Sequence, residues 1–516
     1  MGKKTFDEPI SLNYPTNCTI DNRQIIKVLI ILFGLLTLSQ LAIGIDKTIF
    51  IIGIIVAIIV VAHTLLKLSA IFRPWSKTYS HSNPKYKPFV SIHVACKNEP
   101  AEIVIKTIEA IRKLKYKNFE VIVINNNNTD EANYSKIQKY IESCEKNFKF
   151  IHIDKMSGFK AGALNFLNEN IMSKRSEIEI VVDSDYIVSP DFLDKTVGYF
   201  SNPKVGIVQA PQDYYNVNKF NIGLFYEYRS FFTIVMNQAQ RLNLVTFTGT
   251  MGLIRTDFIK SGLQWNEWCI TEDVEAGTHI NSLGYKGIYV DKSLGKGLMP
   301  YDYASIIKQR QRWTYGNMQI IYKDLRHIIS NNKLQFKQKV AFFTQLATWF
   351  HFELLIAGVY LSLQIIHFFG FSGIYINFTN LFMIYLLAFS VFCNLVYFLI
   401  GMRKDTTIAN RIKAFLSHYG LLYVMSYSWL SFLFGKKLGF VVTKKERSKV
   451  NIPFEQFSKE FLIILILLIA IGLQIIKNEN VTTELIIITI FSLIELSGIY
   501  YLRRAFIKSS ELDTKI

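Results

Sequence analysis

Three short clusters carry side chains suited to chemistry on a phosphorylated sugar. Asp183-Ser184-Asp185 places two carboxylates just after the apolar run Ile178-Glu179-Ile180-Val181-Val182, at the carboxyl edge of an expected buried strand, where open α/β sheets bind ligands. Such a pair suits a hard divalent cation, Mg2+ or Mn2+, bridging protein to substrate phosphates. The same triplet also serves as an ordinary strand-ending turn. Thr271-Glu272-Asp273 follows the loop Trp265-Asn266-Glu267-Trp268-Cys269 and opens an expected helix running to Ser282. One reading is capping by Thr271 with acidic first-turn residues; the other makes Asp273, beside Glu272, a general base for an acceptor hydroxyl. In Gln309-Arg310-Gln311-Arg312-Trp313, Gln309, Arg312 and Trp313 lie three and four apart and share one helical face. A guanidinium and an amide can hold a pyrophosphate, and an indole gives a sugar ring a flat platform. On a membrane-surface helix the same residues would meet head groups and join an aromatic belt. Arg310 and Gln311 are expected to do no more than face lipid or solvent.

The elements that position these clusters follow from composition and pattern. The 516-residue chain is half hydrophobic, with 40 Phe and 27 Tyr, and its mean hydropathy is +0.22, too apolar for an ordinary soluble enzyme. The formal charge of +18 comes from Lys and Arg spread through the centre and crowded at the ends of apolar runs, as in cytoplasmic segments of a membrane protein. No nucleic-acid partner is expected. Cys18, Cys96, Cys144, Cys269 and Cys393 show neither CxxC nor Cys/His ligand spacing, which fits a reducing, cytosol-facing domain.

Residues 84–335 read as that domain. Short β-rich runs at 90–95, 120–124 and 178–182 alternate with helical stretches at 101–114 and 160–168, which predicts an α/β fold with a mostly parallel sheet. Around it, after a leader at 1–24, apolar stretches predict a hairpin of spans at 25–72 (25–45 and 49–72), two more within 340–402 (340–369 and 378–402) and two within 461–503 (461–476 and 485–502), then a short tail at 504–516. The stretch 416–434 is apolar enough to cross, but crossing would put Lys436, Lys437, Lys444, Lys445 and Arg447 outside, against the positive-inside bias. It therefore reads as an interfacial helix within 405–434. Six spans result, with both termini and the α/β domain cytoplasmic, in a multi-pass plasma-membrane protein. Paired charge within the spans is nearly lacking, Glu353 being the main exception.

The order of the three clusters resembles the processive family-2 glycosyltransferases, the group of cellulose, β-glucan and hyaluronan synthases. Further matches are Lys160-Ala161-Gly162-Ala163-Leu164-Asn165, Gln209-Ala210-Pro211-Gln212 and Phe247-Thr248-Gly249-Thr250. Phe440-Val441-Val442-Thr443-Lys444-Lys445, within 435–450, looks like the FxVTxK gating loop of cellulose synthases. The resemblance implies a GT-A catalytic domain inserted in a transmembrane bundle that moves the polymer outward. By it, Asp183 and Asp185 bind the nucleoside diphosphate and its metal, while Lys160, Asn98, Glu99 and Asn125 hold the donor nucleotide. Asp273, with Glu272, supplies the base; Gln309 and Arg312 hold the pyrophosphate; Gly249, Thr250 and Trp313 face the acceptor. Phe440, Val442, Thr443 and Lys445 close over bound donor.

Two departures stand out. Where the family usually carries an Asp for the nucleobase, this chain has Asn125, so either that amide substitutes or Asp130 contributes from the loop. Cys96, with no His partner, reads as a packed side chain rather than a nucleophile. The implied reaction is an inverting transfer from a nucleoside-diphosphate sugar, with UDP-glucose favoured, to a growing polysaccharide, in a bacterial membrane. The rivals are a synthase using UDP-N-acetylhexosamine, a non-processive transferase, a transporter or channel with a cytosolic nucleotide-binding domain, and an inactive nucleotide-binding scaffold.

Overall fold

The computed structural model describes residues 44–71, 82–370, 374–435, 438, 459–477 and 480–513. The leader, nearly all of the first expected span and the gating-loop residues Phe440, Val442, Thr443 and Lys445 lie outside the described residues.

Strands β1 (Val90–Cys96), β2 (Phe119–Asn126), β3 (Phe148–Ile153), β4 (Ile178–Val181), β5 (Ile187–Val188), β6 (Val205–Gln209), β7 (Asp213–Tyr214), β8 (Gly252–Arg255), β9 (Lys286–Tyr289) and β10 (Gly295–Gly297) form two sheets. The larger has the order β3-β2-β1-β4-β8-β6-β9. Only β8 runs against its neighbours, so the mostly parallel α/β expectation holds. β2 is buried along its whole length, as a strand covered on both faces must be. The small sheet β5-β10-β7 caps the carboxyl side of the large one through Gly297, whose added Cβ would lie 2.2 Å from the Tyr186 ring. One polar row crosses the large sheet: Ser91 Oγ donates to Glu120 (3.1 Å), which accepts from Lys149 (2.9 Å), while His93 Nδ1 lies 3.2 Å from Glu179 Oε1.

Outside the domain, three helices among the described residues are long and apolar enough to cross a membrane: Lys47–Ile71, Asn377–Gly401 and Thr482–Glu511. Glu353–Phe368, Leu422–Leu433 and Leu462–Ile476 are apolar but shorter. The expected continuous span 340–369 is not one helix. It divides into Phe336–Ala347 and Glu353–Phe368, and the break sets Trp349 in the wall of the central cleft. Side chains from four neighbours meet the carbonyls around it: Asn317 at Leu346 (2.8 Å), His63 at Ala347 (3.0 Å), Thr314 at Trp349 (3.3 Å) and Trp429 at His351 (2.7 Å). A break in an apolar helix persists only where the freed backbone groups find such partners.

The stretch 405–434 is likewise two helices, Ile408–Tyr419 and Leu422–Leu433. They meet at Gly420, where an added Cβ would lie 2.7 Å from the Gly498 carbonyl. Most of Leu422–Leu433 is buried, with Phe432 against Tyr315 and Trp429 against Phe352. At 1.5 Å per residue its 12 residues cover about 18 Å, short of a bilayer core. Polar pairs do occur within the expected spans: Glu353, the expected exception, sits 3.1 Å from His351, and Lys67 donates to the neutral amide of Asn394 at 2.7 Å. Hydropathy averages over a window and does not register such inward-facing pairs.

Candidate active site

The carboxyl ends of β1, β2 and β4 open onto one cleft of about 230 Å³. Asp183 and Asp185 follow β4 on its floor. Lys160, in the first turn of helix Phe159–Asn170, donates from Nζ to Asp183 Oδ1 at 2.6 Å. The Asp183 amide donates to Thr250 Oγ1 (3.1 Å), and Asp185 Oδ2 accepts from the Leu298 amide (3.0 Å). Backbone and side chain of the acidic pair are therefore fixed from two loops. Among the described residues no group of three or more His, Cys, Asp or Glu could hold a metal. A divalent cation would take only the two carboxylates from the protein and the rest of its oxygens from diphosphate and water, which is how magnesium is commonly held.

Opposite the floor, helix Glu272–Ser282 points its N-terminus into the cleft and brings Glu272 and Asp273 with it. Thr271 occupies the N-cap position without capping the helix. Its hydroxyl lies 3.5 Å from Cys269 Sγ, and its side chain fills the space left at Gly316 of helix Tyr303–Ser330, where a Cβ would approach to 2.4 Å. That close approach locks the second cluster against the third. Asp273 Oδ1 accepts from the Val274 amide at 2.9 Å, and Asp273 Oδ2 faces Gly249.

Gly249 has φ +83, and an added Cβ would lie 2.8 Å from Asp273 Oδ2. Both facts demand glycine. Gly249→Ala is expected to lower turnover about 10- to 100-fold by displacing the carboxylate, with nucleotide affinity retained. A variant with wild-type turnover would show that the carboxylate tolerates the shift.

Burial, with Asp273 alongside, pushes Glu272 up to about 7 against the pull of Lys160 and Arg312. Burial also raises Asp273, opposed by Lys160, the Val274 amide and Arg312. Lys160 would be lowered by its own burial, but Asp183, Glu272 and Asp273 outweigh this and raise it. A base acts only when deprotonated, so lowering the pH protonates the pair and reduces transfer. The acid limb of a kcat/KM profile is expected above the ordinary carboxylate range, and a rate flat down through that range would contradict the assignment.

The wall towards the apolar helices is aromatic. Trp313 stacks on Tyr228 (centroids 5.3 Å apart) and lies 5.2 Å from Trp349. Gln309, Arg312 and Trp313 all line the cleft. A π-helical turn, Phe231–Met236, follows Tyr228 and helps to turn Phe231 and Phe232 inward; such turns recur at functional sites.

Asn98, Asn125, Asp130 and Thr250 are not among the cleft-lining residues, whereas Glu99 is. Asn98 is exposed and not among the cleft-lining residues. Glu99 lines the cleft, with Oε2 accepting the Lys97 amide at 2.6 Å. Asn125 is buried: its amide donates to the Lys97 carbonyl (3.2 Å), and its oxygen faces His152 Nδ1 (3.1 Å), so Asn126 and Asn127 line the cleft instead. Asp130 caps helix Glu131–Glu142 through the Asn133 amide. Thr250 supports Asp183 rather than lining the cleft.

Arg310 reverses its expectation. It faces neither lipid nor solvent: its side chain is 1% exposed and pairs with Glu227, itself fully buried. Tyr228, Trp349 and Glu227 were not singled out from the sequence. The cluster of polar and aromatic residues Thr348-Trp349-Phe350-His351 within an otherwise apolar run was the available signal for Trp349.

A mostly parallel sheet thus presents paired carboxylates, a lysine and an aromatic wall in one cleft, an arrangement suited to a phosphorylated sugar. Residues 87–316 match the family model described as glycosyltransferase like family 2. This stretch is a family-2 glycosyltransferase domain. The chain is 25% identical over 260 residues to glucomannan 4-beta-mannosyltransferase 7 of Arabidopsis thaliana, covering 49% of this chain and 47% of that protein, so it spans about half the length of that relative. It is 26% identical over 345 residues to the poly-beta-1,6-N-acetyl-D-glucosamine synthase of Staphylococcus epidermidis, covering 65% of this chain and 80% of that one. Among solved structures, a mannosyltransferase from Pyrobaculum calidifontis in complex with GDP-Man and Mn2+ aligns with a TM-score of 0.49 at 17% identity, over 72% of this chain and 98% of that one.

Proposed function

We propose that this chain polymerises the hexosyl group of a nucleoside-diphosphate sugar into a β-linked polysaccharide and passes the product outward between its own membrane helices. The observation that carries the reading is one cleft lined together by Lys160, Asp183, Asp185, Asp273, Trp313 and Trp349. Groups suited to the donor diphosphate thus share one space with an aromatic wall to which the break between two apolar helices contributes Trp349.

In this scheme Lys160 and Arg312 hold the diphosphate electrostatically. The acceptor sugar stacks on Trp313, which directs its terminal hydroxyl to the anomeric carbon. Asp273 Oδ2 takes the hydroxyl proton as the new bond forms and the bond to the diphosphate breaks, inverting the anomeric centre. Asp183 and Asp185 would hold a divalent cation, which would supply charge neutralisation for the diphosphate.

The resemblance to cellulose and β-glucan synthases favours UDP-glucose, and the relatives named for glucomannan and poly-N-acetylglucosamine add nucleotide-activated mannose and N-acetylglucosamine to the donors to be tried. Purified full-length protein in lipid, given each radiolabelled donor with Mg2+ or Mn2+, is expected to make a high-molecular-mass product from one of them, and chelation by EDTA should abolish it. Addition of a single sugar would establish the non-processive alternative, and no product from any donor would reject the assignment.

A further inference from the structure

Arg310 is the largest fully buried side chain among the described residues, and its surroundings are unusual for a cation. One guanidinium nitrogen pairs with Glu227 Oε2. Its central carbon lies 4.6 Å from the ring centroids of both Trp313 and Trp349, and 5.7 Å from that of Tyr228. Arg310 Nε and Nη1 have no hydrogen-bond partner among the described residues, so this part of the group rests on aromatic faces alone. A planar, weakly hydrated guanidinium can stack flat on such faces, whereas an ammonium meets them only as a compact, strongly hydrated point charge. Arg310 and Trp313 are three apart on one helix, hence neighbours on its surface.

The carboxylate is fixed in turn. Glu227 Oε1 lies 3.2 Å from His418 Nδ1, and His418 Nε2 lies 2.8 Å from His351 Nε2. His351 Nδ1 then meets Glu353 Oε2 at 3.1 Å, and Ser390 donates to Glu353 Oε1 at 3.0 Å. An unbroken buried polar chain therefore runs from the indole wall of the cleft into the apolar helices.

We infer that Glu227 and Arg310 are positioning residues for acceptor binding: the buried pair packs a guanidinium against both Trp313 and Trp349, which also touch each other, and so fixes the indole face that the acceptor sugar meets. This rests on the proposed acceptor role of Trp313. Neither residue lines the cleft, so neither touches substrate; each acts through the indoles.

The test uses full-length protein in lipid and measures two quantities separately: nucleoside-diphosphate affinity by calorimetry, and the apparent KM for a β-linked tetrasaccharide of glucose, mannose or N-acetylglucosamine, whichever the wild type extends. The double variant E227Q/R310M removes both charges together and leaves no Glu227 carboxylate unpaired. It is expected to bind nucleotide like the wild type and to raise the acceptor KM about 10- to 100-fold, the cost of a small displacement of a binding surface, with shorter product chains. Trp313→Ala serves as the reference. If W313A raises the acceptor KM and the double variant does not, the positioning role is overturned while the acceptor reading stands. An acceptor KM unmoved by W313A overturns both. Should the double variant fail to bind nucleotide, R310K decides: it keeps the charge and loses the plane, so a raised acceptor KM with unchanged nucleotide affinity supports the proposal and a wild-type acceptor KM overturns it.

Discussion

Asp273→Asn is expected to yield an enzyme that binds donor nucleotide with wild-type affinity and transfers sugar about 10²- to 10⁴-fold more slowly, the span that loss of a general base usually covers. The substitution conserves shape, and the amide oxygen can still accept the Val274 N–H that holds the carboxylate now. Only basicity is lost. Because the Asp273 charge helps to raise Glu272, its removal should also let Glu272 fall back towards the ordinary carboxylate range. Residual activity should then carry an acid limb at lower pH than the wild type. Calorimetry with the nucleoside diphosphate and a product assay across pH check both halves, and full polymer synthesis by this variant would remove Asp273 from the mechanism.

Arg310→Ala should be the most damaging single change to stability away from the reacting atoms. It strands Glu227, fully buried, beside His418 with its strongest partner gone. Breaking one side of a buried ion pair typically costs roughly 3–5 kcal/mol, whereas replacing both sides together is often nearly neutral. A thermal melt in detergent should show a large loss for R310A and partial recovery when Glu227→Gln is added. Equal melting for R310A and wild type would mean that His418 alone satisfies the carboxylate.

Arg310 also marks the boundary of what the chain disclosed. The cluster Gln309 to Trp313 was legible as a helix with one chemical face, and Gln309, Arg312 and Trp313 do share the cleft with Lys160, Asp183, Asp185 and Asp273. A surface helix has one partner, so its second face is expected outside. Helix Tyr303–Ser330 instead lies in a crevice, with the α/β domain on one side and the apolar helices on the other, and Arg310 fills the second side. The strand and helix starts around Val90, Phe119, Ala101 and Ile178 followed from periodicity because the sheet core imposes it.

Residues whose roles depend on distant partners were not readable in this way. Asn125 turns to His152, Thr250 to the Asp183 amide, and the break at Trp349 depends on carbonyl partners 30 to nearly 300 positions away in the chain. In each case the sequence shows a side chain able to make a bond and carries no mark of the residue that receives it.

Gly249 and Thr250 are adjacent, yet one bears on Asp273 and the other on the backbone of Asp183. Two successive residues of one loop therefore act as a caliper on the spacing between the proposed base and the proposed diphosphate site. The aromatic lining of the cleft comes from other elements, so under the proposed function a change there would alter which sugar is accepted without resetting that spacing.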